Sequence, residues 1–194
     1  MNREKAMNRE EAFELLKKYN KEPYHIRHGL MVEAIMREFA RINNYDEEFW
    51  GIVGLLHDID YEMYPEEHCI KAVKLLKDAN ASDELIHAVV SHGYNICSDI
   101  EPVHYMEKVL YATDELTGII ASLINMRPSK NAQGMETSTL KKKFKDKTFA
   151  RGCSRDIVKA GAEMLGVDLN YLFEHAIKAI EQDEEFINNK IASL

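Results

Sequence analysis

Apolar residues recur along this chain at three- and four-residue intervals and nowhere alternate with polar ones over a useful length, so the pattern builds helices packed on helices rather than sheets. Asn8 with Glu11 makes a capping box for a first helix that runs through Asn20 and is closed by Pro23. A second helix covers about 25–42, and a third starts near Asp46 and runs into His57 and Asp58. Pro65 suits the first turn of a fourth, to about Ala79, and Ser82 or Asp83 caps a fifth that reaches His92. Pro102 opens a long sixth helix to about Asn125, which Arg127 and Pro128 break. A loop to Thr137 and a basic stretch follow, then a helix over about 155–165 stopped by Gly166 and another from Asp168 past Ile180. The expectation is an all-α, single-domain bundle of eight or nine helices over 1–194, with its carboxy-terminal helices at about 155–190. The only internal echo sets Met1, Asn2, Arg3 and Glu4 against Met7, Asn8, Arg9 and Glu10, and reads as an extended or alternative start.

Composition narrows the class. A chain of 194 residues is long enough to bury about 70 % of its extended surface in one core. Apolar stretches such as 118–124 are far short of the ~20 residues that span a bilayer, and the charged start has no apolar centre for a signal peptide, so the chain is read as cytoplasmic and free of membrane partners. Cys69, Cys97 and Cys153 form no CxxC pair and are odd in number, which argues for reduced structural thiols rather than a disulfide framework or thiolate zinc site. A net charge of −8 argues against a general nucleic-acid binder. One segment runs against that balance: 127–151 holds eight Lys or Arg against Glu136 and Asp146.

The histidines point to chemistry. At about 100° per residue, His28 shares a face with Val32, Ile35 and Phe39; Trp50 and Gly54 with His57; His68 with Ala72 and Leu75. Leu85 and Val89 lead to His92, and Val103, Leu110, Asp114 and Ala121 share the stripe of the sixth helix. Five apolar stripes thus end in, or are interrupted by, a His or Asp. A buried carboxylate costs several kcal/mol unless it is paired or binds a metal, and Asp58 and Asp114 are both candidates. Imidazoles with carboxylates and no thiolate form a ligand set for Fe, Mn, Zn, Co or Ni. By the same phase reasoning His87 is solvated, His104 and His175 sit on the flanks of their stripes, and His25 stays open as a candidate beside His28.

His28, then His57 and Asp58 within LLHDIDYE, then the distant Asp114, resemble the HD-domain superfamily of metal-dependent phosphohydrolases over about 24–120. The whole chain, including DELTG, MRPSK and KKKFKDKTFA, is similar to a small family of hydrolases assigned to that superfamily. The resemblance implies a helical fold with His28, His57, Asp58 and Asp114 around a metal ion. It also puts His68 and His92 where dinuclear members hold a second ion, with Asp58 as the bridging carboxylate, so one or two divalent transition-metal ions are expected. Departures are visible too: Asp60 stands where the common HDIG variant has Gly, and His92 is followed by Gly93 where the cyclic-dinucleotide type has a second His. Guanosine-tetraphosphate hydrolases have an acidic pair where this chain has Tyr61 and Glu62.

These residues fit a hydrolase of a small phosphorylated metabolite or nucleotide, in which metal-activated water attacks phosphorus and Asp58 or Asp114 accepts its proton. The basic segment supplies the substrate clamp, with Arg127 and Lys130 foremost and Lys142 and Lys143 behind them; this requires the loop 128–137 to fold back over the metal mouth. A solvated face that balances an acidic body is the competing account of those lysines. Two other functions share the ligand set: a mixed-valent diiron oxygenase, marked by dioxygen consumption, and a non-enzymatic metal-binding or ligand-sensing module, marked by tight binding without turnover.

Overall fold

The computed structural model describes residues 7–194; the first half of the amino-terminal echo, 1–4, lies outside them. Among the described residues there are nine α-helices and no strand, in one bundle. Helix α1 (Arg9–Tyr19) starts from the expected capping box: Asn8 Oδ1 accepts from the Glu11 amide, and the Glu11 carboxylate accepts from the Asn8 amide. Pro23 occupies the first turn of α2 (Pro23–Ile42), and Asp46 caps α3 (Glu47–Leu56) through the amides of Glu48 and Phe49. Helices α4 (Ile70–Asp78) and α5 (Asp83–Ser91) form a short pair, and α6 (Tyr105–Met126) is the second long element. Helices α7 (Thr137–Lys145), α8 (Arg155–Leu165) and α9 (Leu169–Ala192) complete the chain.

Helix α2 is the centre of the bundle and packs on α3, α6 and α9, while α8 lies along α6. The α2–α3 contact is close because Gly54 has no side chain: a Cβ there would stand 2.8 Å from Met36 Cγ and 3.0 Å from the Val32 carbonyl. Gly161 does the same for α8, where a Cβ would fall 2.4 Å from Ala112 Cα. Val32, Ile35 and Phe39 are fully buried, as the stripe that starts at His28 requires.

The structure corrects two sequence expectations. The fourth helix does not run from Pro65. A single 3-10 turn, Pro65–Glu67, is followed by extended His68 and by Cys69 with φ of +66°, and α4 begins only at Ile70. His68 is therefore not on a helical face with Ala72 and Leu75. The sixth helix starts at Tyr105 rather than Pro102; His104 is its cap, accepting from the Met106 amide, and Glu107 reaches back to the amides of Val103 and His104. Val103 lies outside the helix and is 69 % exposed, so it is no part of a buried stripe. His87 is exposed, as expected, and from there its ring bonds the buried Glu107 carboxylate at 2.7 Å. No helix among the described residues is long and apolar enough to cross a membrane.

Candidate metal centre

His28 comes from the second turn of α2, His57 and Asp58 from the end of α3, and Asp114 from the middle of α6. One ligand atom from each lies within 4.8 Å of the others. His28 Nε2 stands 2.9 Å from Asp114 Oδ1 and 3.7 Å from Asp58 Oδ2. His57 Nε2 lies between the same carboxylates, at 3.2 Å and 3.3 Å, with no hydrogen bond of acceptable geometry although the atom is buried. The other oxygen of Asp58 faces the second pair: Oδ1 is 3.4 Å from Nε2 of both His68 and His92, whose Nε2 atoms are 3.2 Å apart. All six expected ligands thus converge, with Asp58 between the two groups.

The rings of His57, His68 and His92 are fixed from behind, and this fixes the tautomer of each. His57 and His92 follow the last turns of α3 and α5, where carbonyls lack helical partners. His57 Nδ1 donates to the Gly54 carbonyl at 2.8 Å, and His92 Nδ1 donates to the Val89 carbonyl. A carbonyl only accepts, so the proton of each neutral ring sits on Nδ1 and Nε2 presents a lone pair to the centre. His68, on the irregular stretch before α4, is set by Asp60, whose Oδ1 accepts from His68 Nδ1 at 2.8 Å. Asp60 Oδ2 accepts from the Ala72 amide at 2.7 Å and so also holds the start of α4. In the neutral rings, lone pairs of His57, His68 and His92 thus meet one another and two carboxylates, an arrangement that could hold a cation, and imidazole with carboxylate is a donor set divalent transition metals accept.

The same crowding governs titration. Burial opposes protonation of His57, but the charges of Asp58 and Asp114 outweigh it and raise its pKa well above the ordinary value. Asp114 is pushed up by its own burial and, more strongly, held down by His57 and His28. Burial and the Asp114 charge raise Glu115, which accepts from the Ser154 amide at 3.0 Å.

The centre opens into a cavity of about 400 Å³ whose rim carries Tyr24, His25 and Tyr61. Glu62 belongs to the scaffold: its carboxylate accepts from the amides of Lys21 and Glu22 and pairs with His25 at 3.0 Å. The thiols are less scattered than the sequence suggests. Cys69 lies near His68 and His92, and its Sγ is 2.9 Å from Cys97 Sγ. The hydrogen bond to Cys97 and burial keep Cys69 protonated, while that bond brings Cys97 down to about 6; the Asp58 carboxylate is the better third donor for the second group.

The expected substrate clamp does not form here, since none of Arg127, Lys130, Lys142 and Lys143 lines this cavity. Arg127 bonds the carbonyls of Ala132 and Gln133, and Lys130 bonds the Asn125 carbonyl. Their loop is tied to α9 through Glu184 and Glu181, which accept from the amides of Ala132 and Gly134, so it does not fold back over the metal mouth. Lys130 instead lines a neighbouring cavity of about 350 Å³ that shares His28 with the metal site. Lys143 lies over the Phe149 ring. Residues missed from sequence are Asp60, Glu115, Tyr24 and Tyr61. Asp60 had a signal, a carboxylate in a buried run; the tyrosines, both largely exposed, had none.

Comparison of the chain with family models, with curated proteins and with solved structures returned no match.

Proposed function

We propose that this protein is a metal-dependent phosphohydrolase of the HD-domain type, acting on a small phosphorylated metabolite or nucleotide. One observation carries the reading: the buried Nε2 of His57 is directed between Asp58 and Asp114 with its proton committed to the far side of the ring. His28, His57, Asp58 and Asp114 would hold one ion, and His68, His92 and Asp58 a second. A divalent ion there supplies Lewis acidity toward water and toward a phosphoryl oxygen.

The chain's own groups divide the remaining work. Asp58 presents one oxygen to each group of imidazoles and would be shared by both groups. Asp114 turns Oδ1 to His28 and His57, and its Oδ2 would be the atom to accept a proton from water. Asp60, the Gly54 carbonyl and the Val89 carbonyl keep the imidazoles in their productive tautomer without touching substrate. Tyr24 and Tyr61 frame the entrance.

The test is metal analysis of anaerobically purified protein, then phosphate release across phosphomonoesters, nucleotides and cyclic nucleotides. Bound transition metal with release from at least one class supports the reading. Iron with dioxygen consumption and no phosphate release overturns it in favour of an oxygenase.

A further inference from the structure

The largest cluster of positive charge lies outside the metal cavity. Helix α7, the segment 146–154, the first turn of α8 and the start of α9 enclose a concavity of about 700 Å³. Lys141, Lys145, Lys147, Arg151, Arg155 and Lys159 line it against one carboxylate, Asp156, which pairs with Lys159. The ammonium groups of Lys141, Lys145 and Lys147 have no hydrogen bond or ion pair among the described residues. Lys141 and Lys145 are four apart on α7, a like-charge spacing that costs a helix stability. The helix dipole accounts for lysines in the last turn of α7 but not for Lys147 or Arg151 beyond it.

The wall carrying these cations is built, not loose. Arg155 donates to five carbonyls of one segment: Phe144, Asp146, Phe149, Ala150 and Cys153. Phe144 and Phe173, with ring centroids 5.1 Å apart, form the floor. An arginine spent on backbone carbonyls thus fixes the loop from which Lys147 and Arg151 project. Cys153 borders both this concavity and the metal cavity, and Glu115, beside the ligand Asp114, holds the Ser154 amide at their boundary.

We propose that this concavity is an anion site for a condensed phosphate, a small molecule carrying two or more linked phosphoryl groups. Several unpaired cations around a single hollow match closely spaced negative charges on one small ligand, while a nucleic-acid backbone spreads its charges along a surface. The proposal does not depend on the metal centre's reaction.

The experiment is isothermal titration of the 194-residue chain with tripolyphosphate and with a nucleoside triphosphate in about 150 mM salt. The variants are the triple Lys141→Gln, Lys145→Gln, Lys147→Gln, and Asp58→Asn. Saturable binding is expected, with affinity about tenfold or more weaker in the triple variant and unchanged in Asp58→Asn. Because the three lysines are exposed, an unchanged thermal melt confirms that the triple variant is folded. No saturable binding, binding lost in Asp58→Asn but kept in the triple variant, or affinity for oligonucleotides alone would each overturn the proposal. Failure of the hydrolase reading would appear only in metal content and phosphate release.

Discussion

At the candidate metal centre the imidazoles of His57, His68 and His92 are each held from behind by a carbonyl or carboxylate, whereas around the basic concavity Arg155 is braced by carbonyls while Lys141, Lys145 and Lys147 stand free among the described residues. The first region concentrates charge in low dielectric, where each group depends on its neighbours, so loss of one member is felt by all. The second keeps its charge in water, where pairwise terms are small and screened. Substitutions in the two regions should therefore differ in kind. Those at the centre act as a network, and those at the basic wall act singly except where the wall's own support is removed.

The largest effect is expected for His57→Ala. It removes the donor aimed between Asp58 and Asp114 and leaves those carboxylates unbalanced. Metal content should fall and phosphate release should drop by about a hundredfold or more. Full metal content in this variant would break the contrast at its stronger end.

Next comes Asp60→Ala, which removes the acceptor for both His68 Nδ1 and the Ala72 amide. Two buried donors lose their partner, and a loss of about 2 to 4 kcal/mol is expected in denaturant titration. The accompanying fall in metal affinity, about tenfold to a hundredfold, would separate support of the centre from mere folding if Asp60→Asn recovers stability without recovering metal.

Arg155→Ala sharpens the other side. Loss of its carbonyl contacts should cost about 1 to 3 kcal/mol, and Arg155→Lys should not rescue it, because an ammonium cannot span carbonyls that a planar guanidinium reaches. Lys141→Ala, by contrast, should stay within about 0.5 kcal/mol of the parent. A Lys141 effect as large as that of Arg155 would show that the wall works as a network after all.

How much of this could be read from sequence follows the same division. The phases of His28, His57 and Asp114 are properties of regular helices, so periodicity located them without any tertiary knowledge. His68 reached the right place for the wrong reason: its helical phase was imaginary, and a left-handed Cys69 together with the Asp60 carboxylate delivers it. Nothing in composition announces a loop residue's direction. The basic run was legible as charge, but its division was not. Whether Arg127 and Lys130 face a substrate or tie down a loop depends on where Glu181 and Glu184 of α9 arrive, some fifty residues away in sequence.

Glu38 supplies the smallest effect and a control on the reasoning, because it is a buried carboxylate met by cations instead of lone pairs. Its oxygens accept from Lys178 at 2.7 Å, His175 at 3.3 Å and Arg41 at 3.0 Å. Burial pushes its pKa up, but the bonds from Lys178 and His175 and the nearby positive charges prevail and lower it from 4.5. A carboxyl whose folded value lies below its unfolded one binds fewer protons when folded. Its contribution is therefore complete above pH of about 4.5 and is lost as pH falls through the folded value. The stability gap between parent and Glu38→Gln should accordingly be about 1 kcal/mol near neutrality and close as the solution is acidified below that point. A gap that stays constant down to the acid transition would mean that the glutamine keeps the Lys178 and Arg41 contacts at equal strength, and that charge at this site contributes nothing to the fold.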